Sequence, residues 1–256
     1  MLIHKYLNAG VISRGGVEKT ETGMSQGGVL SPLLSNVMLN ELDRGLTGRG
    51  HRFVRYADDC MILCKSRKSA ERTLKNIIPF IEGKLYLKVN RKKTRVAHIS
   101  KVKYLGYAFY RYIGKCRIRV HRKSVAKMKD KIRKLTKRNN GWGNEYRAMK
   151  LTQFARGWVN YFSRADMKGL LRETDEWLRH KTRTIYWKQW KKVKTKFREL
   201  KRLGVEEEKV WICANIRNGN WYCGGYFVLQ TAFNNKKLRE LGYPTFTEIY
   251  LKVCEN

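Results

Sequence analysis

The sequence predicts an α+β fold, a mixed or antiparallel sheet with helices, followed by a strongly basic all-helical part. Three observations carry this. The apolar runs Phe53-Val54 and Cys60-Met61-Ile62-Leu63-Cys64 flank a short polar tip and read as a β-hairpin. A helical apolar period at Leu74, Ile77, Ile78 and Ile81 follows, with further strand-like segments after it. From Arg122 onward, apolar residues recur at helical spacing (Leu151, Ala155, Trp158, Phe162, then Leu171, Leu178, Ile185). They do so inside a segment, 122–202, that holds 26 Lys and Arg against 7 Asp and Glu.

Composition bounds the class. The chain has 256 residues, enough for one large domain or two small ones with a real core. Its formal charge is +35, from 56 Lys and Arg against 21 Asp and Glu. Such an excess repels itself unless a polyanion is bound. A hydrophobic fraction of 42% with seven Trp excludes a disordered basic tail. A folded nucleic-acid-binding protein is expected. No run is long enough for a transmembrane helix, and Met1-Leu2-Ile3-His4-Lys5 lacks the apolar core of a signal peptide, so a cytoplasmic protein without membrane contact is expected. The six cysteines never form a C-x-x-C pair, which argues against structural zinc and for free thiols. The five histidines are scattered and lack paired cysteines, so no H-N-H nuclease module is expected.

The elements follow in order. Leu2–Leu7 reads as the end of a helix closed by Gly10. In Gly23-Met24-Ser25-Gln26-Gly27-Gly28-Val29-Leu30-Ser31-Pro32, Ser31 is the expected N-cap and Pro32 the first residue of a helix running to about Leu46. The preceding glycines leave backbone N–H groups free to meet phosphate. The hairpin at 52–64 carries Tyr56-Ala57-Asp58-Asp59 at its tip. Adjacent carboxylates beside a buried strand pair need compensation, and a hard divalent cation such as Mg²⁺ supplies it. The plain alternative is a solvated Asp-Asp turn. Ser69 is expected to cap a helix from Ala70 to Glu82, kinked by Pro79 and ended by Gly83. Short strands are expected at 94–99, 103–110 and 116–121, then helices at 123–138, 145–163 and 167–200. The apolar stripes of these helices are packing faces, and the basic faces opposite read as a phosphate track. A tail with Trp211, Trp221, Tyr222, Tyr226 and Phe227, and a short helix near 236–241, closes the chain.

Five blocks occur in a distinctive order: Gln26-Gly27-Gly28, Ser31-Pro32-Leu33-Leu34, Tyr56-Ala57-Asp58-Asp59, Leu85 through Asn90 with Lys93-Thr94, and Tyr104-Leu105-Gly106-Tyr107. Together they resemble the later palm blocks of bacterial group II intron-encoded reverse transcriptases, also called maturases. The resemblance implies a partial palm at 1–121, a helical thumb (domain X) at 122–202 and a C-terminal tail region at 203–256.

It further implies RNA-directed DNA polymerase activity, in which a DNA primer 3′-hydroxyl attacks the α-phosphate of a bound dNTP on an RNA template. Paired Mg²⁺ ions stabilise the attacking and leaving oxygens there. Asp58 would ligate metal and Asp59 would assist. Tyr56 and Ala57 would lie close to primer and template, and Gln26 and Gly27 would help to position template and nucleotide, with a plain loop cap as the alternative for Gln26. Lys93 would sit near the triphosphate, with a solvated basic run Arg91-Lys92-Lys93 as the alternative. Leu105-Gly106 would form a turn gripping the primer, with a plain β-turn as the alternative. Domain X would bind intron RNA, so an RNA-binding splicing factor without polymerase activity is the second reading.

One departure stands out. The family's palm has a further aspartate on an earlier strand. The 25 residues before Gln26 contain Glu18 and Glu21 but no aspartate. The expectation is an N-terminally truncated member, inactive alone. It stays open whether an N-terminal fragment or a second copy of the chain completes the site.

Overall fold

The computed structural model describes Lys5, the backbone of 11–13 and 16–18, and residues 30–255. Apart from Lys5, the expected helix end at 2–7 lies outside the described residues, as does the glycine-rich block with Gln26 and Gly27. The chain divides into two compact units, Met1–Tyr104 and Leu105–Asn256.

In the first unit, strands β1 (Val11–Ser13) and β2 (Gly16–Glu18) pair antiparallel. Helix α1 (Ser31–Gly48) buries Leu39, Leu42 and Leu46, a three-to-four-residue period that marks its packed face. Leu30, not Ser31, occupies the cap position, and Pro32 sits in the first turn as expected. Ser31 is itself helical, a shift of one residue at the helix start. Strands β3 (Arg52–Tyr56) and β4 (Asp59–Leu63) form the expected hairpin, in the register Phe53 to Ile62 and Tyr56 to Asp59. Phe53 and Ile62 share its inner face and pack on a core of Leu39, Leu42, Leu46, Ile77 and Leu85. Each such leucine contributes about 2 kcal/mol through burial.

Helix α2 (Arg67–Gly83) starts a turn earlier than expected. Ser66 caps it, accepting the Ser69 N–H at 3.2 Å, because its extended backbone leaves the hydroxyl free to turn inward. Pro79 is accommodated within the helix and Gly83 is its last residue. The strand expected at 94–99 is absent: residues 95–98 carry no ladder, and a 3-10 turn follows at Ile99–Lys101. The His98 ring nitrogen accepts the Ser100 N–H, which turns the chain out of an extended path. The unit ends in the two-residue strand β5 (Lys103–Tyr104).

The expected strand at 103–110 is interrupted at Leu105-Gly106, whose φ values of +49° and +85° make a tight reversal of the type I′ kind. Strands β6 (Tyr107–Tyr112) and β7 (Lys115–Val120) then pair as a hairpin of the second unit. The rest of that unit is helical: α3 (Arg122–Leu135), α4 (Asn144–Phe162) and α5 (Lys168–Gln189), then α6 (Val193–Arg202) and α7 (Glu207–Ala214). Four short helices close the chain: α8 (Asn220–Gly224), α9 (Phe227–Ala232), α10 (Asn235–Glu240) and α11 (Phe246–Glu255).

The single helix expected at 167–200 is therefore two. Trp190 leaves helical geometry at ψ 73° while its ring stays buried against Trp187 and Phe233, so packing of the indole ends the helix. The tail is more helical than its spaced aromatics suggest. Val210, Val228, Leu229, Phe233, Leu238 and Phe246 join Met128, Leu151, Val159 and Leu171 in one continuous core.

Candidate active site and nucleic-acid interface

Tyr56, Ala57, Asp58 and Asp59 come together at the tip of the β3–β4 hairpin. Ala57 and Asp58 form its two-residue loop, and Tyr56 pairs directly with Asp59. Ala57 has φ +51°, a left-handed conformation that costs an alanine about 1 kcal/mol. Both aspartates are exposed, and neither carboxylate has a hydrogen bond or ion pair among the described residues. Tyr56, on the outer face, is 66% exposed.

What holds this strained tip is a group the sequence reading passed over. Arg55 stands between Val54 and Tyr56 with its side chain half-buried. Its Nε donates to Asp43 Oδ1 at 2.8 Å and its Nη2 to Asp43 Oδ2 at 2.5 Å. Its Nη1 donates to Asn36 Oδ1 at 2.9 Å and to the Ala57 carbonyl at 3.0 Å. One guanidinium thus ties two positions of helix α1 to the carbonyl of the strained loop residue. A planar fork of five donors suits this and an ammonium does not. The hydrogen bond that Arg55 donates to Asp43 is the main reason its pKa is raised above its ordinary value.

Tyr104 supports the hairpin from another side. Its hydroxyl donates to the Val54 and Asp59 carbonyls, each at 3.3 Å, and burial followed by the neighbouring Cys60 pushes its pKa up. The signal for Arg55 was available in the sequence: a cation at a strand position whose strand neighbours are apolar calls for an acid. Its partner, twelve residues upstream on a helix, was not legible.

The remaining expected site residues sit apart from the tip. Lys93 is exposed on the turn at 90–94, where its backbone N–H donates to both the carbonyl and the side chain of Asn90. Its ammonium makes no ion pair among the described residues, whereas Arg91 pairs with Glu82 at 2.5 Å. Leu105 and Gly106 belong to the second unit and are tied into it. The Leu105 carbonyl accepts from Tyr161 Oη at 3.0 Å. The Gly106 carbonyl accepts from the His121 N–H at 3.0 Å and from Ser124 Oγ at 2.9 Å.

No cluster of three or more His, Cys, Asp or Glu able to hold a metal occurs among the described residues. Asp58 and Asp59 nonetheless suit one demanding ion. Mg²⁺ is commonly held by one or two carboxylates, with substrate phosphates and water completing its shell. Asp58 and Asp59, exposed and adjacent in sequence, could supply such carboxylates.

The second unit supplies the cationic surface. Helix α3 buries Met128, Ile132 and Leu135 and turns Lys123, Lys127, Lys131 and Lys134 to solvent. Each three- or four-residue step advances about 4.5–6 Å along the axis, so the cations form a track. No helix among the described residues is long and apolar enough to cross a membrane.

Residues 1–109 match the family described as Reverse transcriptase (RNA-dependent DNA polymerase). Residues 125–204 match the Group II intron, maturase-specific domain. Protein YkfC of Escherichia coli (strain K12) is 31% identical over 133 aligned residues, covering 39% of this chain and 35% of that protein. Group II intron-encoded protein LtrA of Lactococcus lactis subsp. cremoris is 26% identical over 200 aligned residues, covering 53% of this chain and 32% of that protein. The matched region thus spans about a third of the length of these relatives. The two family matches follow one another along the chain and fall mainly on the hairpin unit and on the basic helices, so the chain carries, in that order, part of a reverse transcriptase and a group II intron maturase-specific domain.

Proposed function

We propose that the chain contributes the carboxylate hairpin and the nucleic-acid grip of an RNA-directed DNA polymerase of the group II intron type. The observation that carries this is the tip itself: Asp58 and Asp59 are exposed and unpaired beside a strained loop that Arg55 clamps to Asp43. Mg²⁺ bound there would neutralise charge as a primer 3′-hydroxyl attacks the α-phosphate of a dNTP. Asp58 is the principal ligand in this reading and Asp59 its assistant. Tyr56 and Ala57 border the primer and template, with Gln26 and Gly27 positioning template and nucleotide. Lys93 offers its free ammonium to the triphosphate. Leu105 and Gly106 act by holding the turn that faces the primer. In this reading the protein works in the cytoplasm.

The test is Mg²⁺-dependent primer extension on an RNA template, by the chain alone and with an upstream palm segment supplied as a second polypeptide. Synthesis is expected only with the supplement. Asp58→Ala is expected to lower it at least a thousandfold while changing RNA affinity less than twofold, on the scale of losing one metal-holding group. Extension that survives Asp58→Ala would sink the assignment.

The basic helices favour a second role in the same protein, binding intron RNA as a splicing factor. Replacing Lys123, Lys127, Lys131 and Lys134 by Gln is expected to weaken RNA binding and to lower the salt slope by about three to four. Unchanged affinity would exclude the track.

A further inference from the structure

Helices α3, α5 and α8 of the second unit bring a row of alternating cations and rings to one surface. Arg133 lies over the Trp177 ring at 5.6 Å from its centroid, and Lys181 over the same ring at 5.1 Å. Lys181 also lies 5.8 Å from the Trp221 centroid, and the His180 ring packs beneath that indole with centroids 4.0 Å apart. Trp221 keeps 53% of its surface exposed and the adjacent Tyr222 keeps 59%.

The platform is built. Gly224 lets α8 close onto α5, since a Cβ there would lie 2.4 Å from Thr184 Cγ2 and 3.1 Å from the His180 carbonyl. That close approach sets Trp221 on His180 and Lys181. Part of the positive charge is also uncompensated. Arg133 pairs with Asp130, but neither Lys181 nor Arg138 has an acidic partner among the described residues. Burial, then Arg133 and Arg138, depress the Lys181 pKa, so positive charge converges here. A half-exposed indole held rigidly from below, with unpaired cations beside it, matches what unpaired nucleotides require: a π-face for a base and charge for its phosphates.

We propose that Trp177, Lys181 and Trp221 form a stacking site for unpaired nucleotides of a single-stranded polynucleotide, with Trp221 taking a base and Lys181 and Arg138 its phosphates. The proposal rests on the reading of the helical unit as nucleic-acid-binding and adds that part of its ligand is unpaired.

The experiment uses the full chain and fluorescence anisotropy with a labelled single-stranded RNA of about 12 nucleotides, a duplex RNA of the same length and a single-stranded DNA of the same sequence. Trp221→Ala is expected to weaken single-strand binding about tenfold, leaving duplex binding within twofold. Trp221→Phe restores most of the loss, which a purely structural role of the indole would not do. Lys181→Gln leaves the ring in place and is expected to lower the single-strand salt slope by about one. Equal losses on RNA and DNA would mean that the site reads bases and phosphates without regard to the sugar; a loss on RNA alone would add 2′-hydroxyl recognition. Losses shared equally by single strand and duplex, or no loss at all, overturn the site while leaving the cationic track standing. A changed sedimentation mass for Trp221→Ala with unchanged RNA binding would assign the face to self-association instead. Absence of binding by the unmodified chain to any of the three probes would overturn both readings.

Discussion

The guanidinium of Arg55 meets the carboxylate of Asp43 side-on, with Nε 2.8 Å from Oδ1 and Nη2 2.5 Å from Oδ2. The pair joins the hairpin to helix α1 and leaves Nη1 free to hold the Ala57 carbonyl. It makes the position of the exposed aspartates depend on a group that touches neither of them.

Arg55→Lys keeps the charge and loses the fork. It is expected to destabilise the first unit by about 1–2 kcal/mol. Asp43→Asn should cost more, about 2–3 kcal/mol, because it leaves a half-buried guanidinium without its anion. Urea denaturation followed by circular dichroism checks both, and equal stability to the parent would remove the clamp from the account. In the supplemented polymerase, either change should lower extension more than RNA affinity.

Gly106 and Gly157 should respond to alanine with opposite signs. At Gly106, φ is +85° and a Cβ would lie 3.1 Å from both Phe162 Cζ and Ser124 Oγ, so Gly106→Ala should cost about 2 kcal/mol. Gly157 stands exposed inside helix α4 with nothing within 4 Å of a Cβ, so Gly157→Ala should stabilise by about 1 kcal/mol. Thermal melts of the two variants give the comparison directly.

Asp175 is buried on helix α5 and accepts the Phe246 N–H at 2.7 Å and the Thr247 N–H at 2.9 Å, capping helix α11 from 71 residues away. Asp175→Ala orphans both donors and should cost about 2–3 kcal/mol. Asp175→Asn retains one acceptor and should recover part of that. Amide exchange at Phe246 and Thr247 would report the loss locally; protection unchanged in the alanine variant would contradict the capping role.

His180 should make the helical unit acid-sensitive. Burial, with Arg183 and Lys181 adding to it, depresses its pKa below the ordinary 6.5, while a hydrogen bond with the Trp221 backbone opposes the shift. In acid, the unfolded chain therefore takes up this proton more readily than the folded one. The contribution vanishes above about pH 6.5, and stability falls as pH drops below that value. His180→Gln should flatten the slope of melting temperature between about pH 7.5 and 5.5. An unchanged slope would assign the acid sensitivity elsewhere.

Much of the chain was legible before folding was considered. The hairpin at 53–63, its acidic tip, the helix after it and the three basic helices follow from apolar periods of two and three-to-four residues, which local geometry enforces. The ordered blocks around Tyr56-Ala57-Asp58-Asp59 carried the resemblance that the two family matches bear out. Local signals misled where packing outweighed them. Two serines three residues apart compete to cap α2, and Ser66 wins because its backbone is extended there. A basic run predicts one long helix, and burial of Trp190 divides it. The composition changes at Arg122, yet the compact units meet at Tyr104 and Leu105, because Gly106 and the strands after it pack with the helices.

By itself the sequence determined which chemistry the chain carries: adjacent carboxylates at a strand reversal, and a large one-signed charge on helices. Tertiary structure alone decided how those groups are held. Asp43 reaches Arg55 across 12 positions, Asp175 reaches Phe246 across 71, and Lys181 reaches Trp221 across 40. Contacts at such separations arise from the mutual burial of whole elements and leave no periodic trace in either partner's neighbourhood.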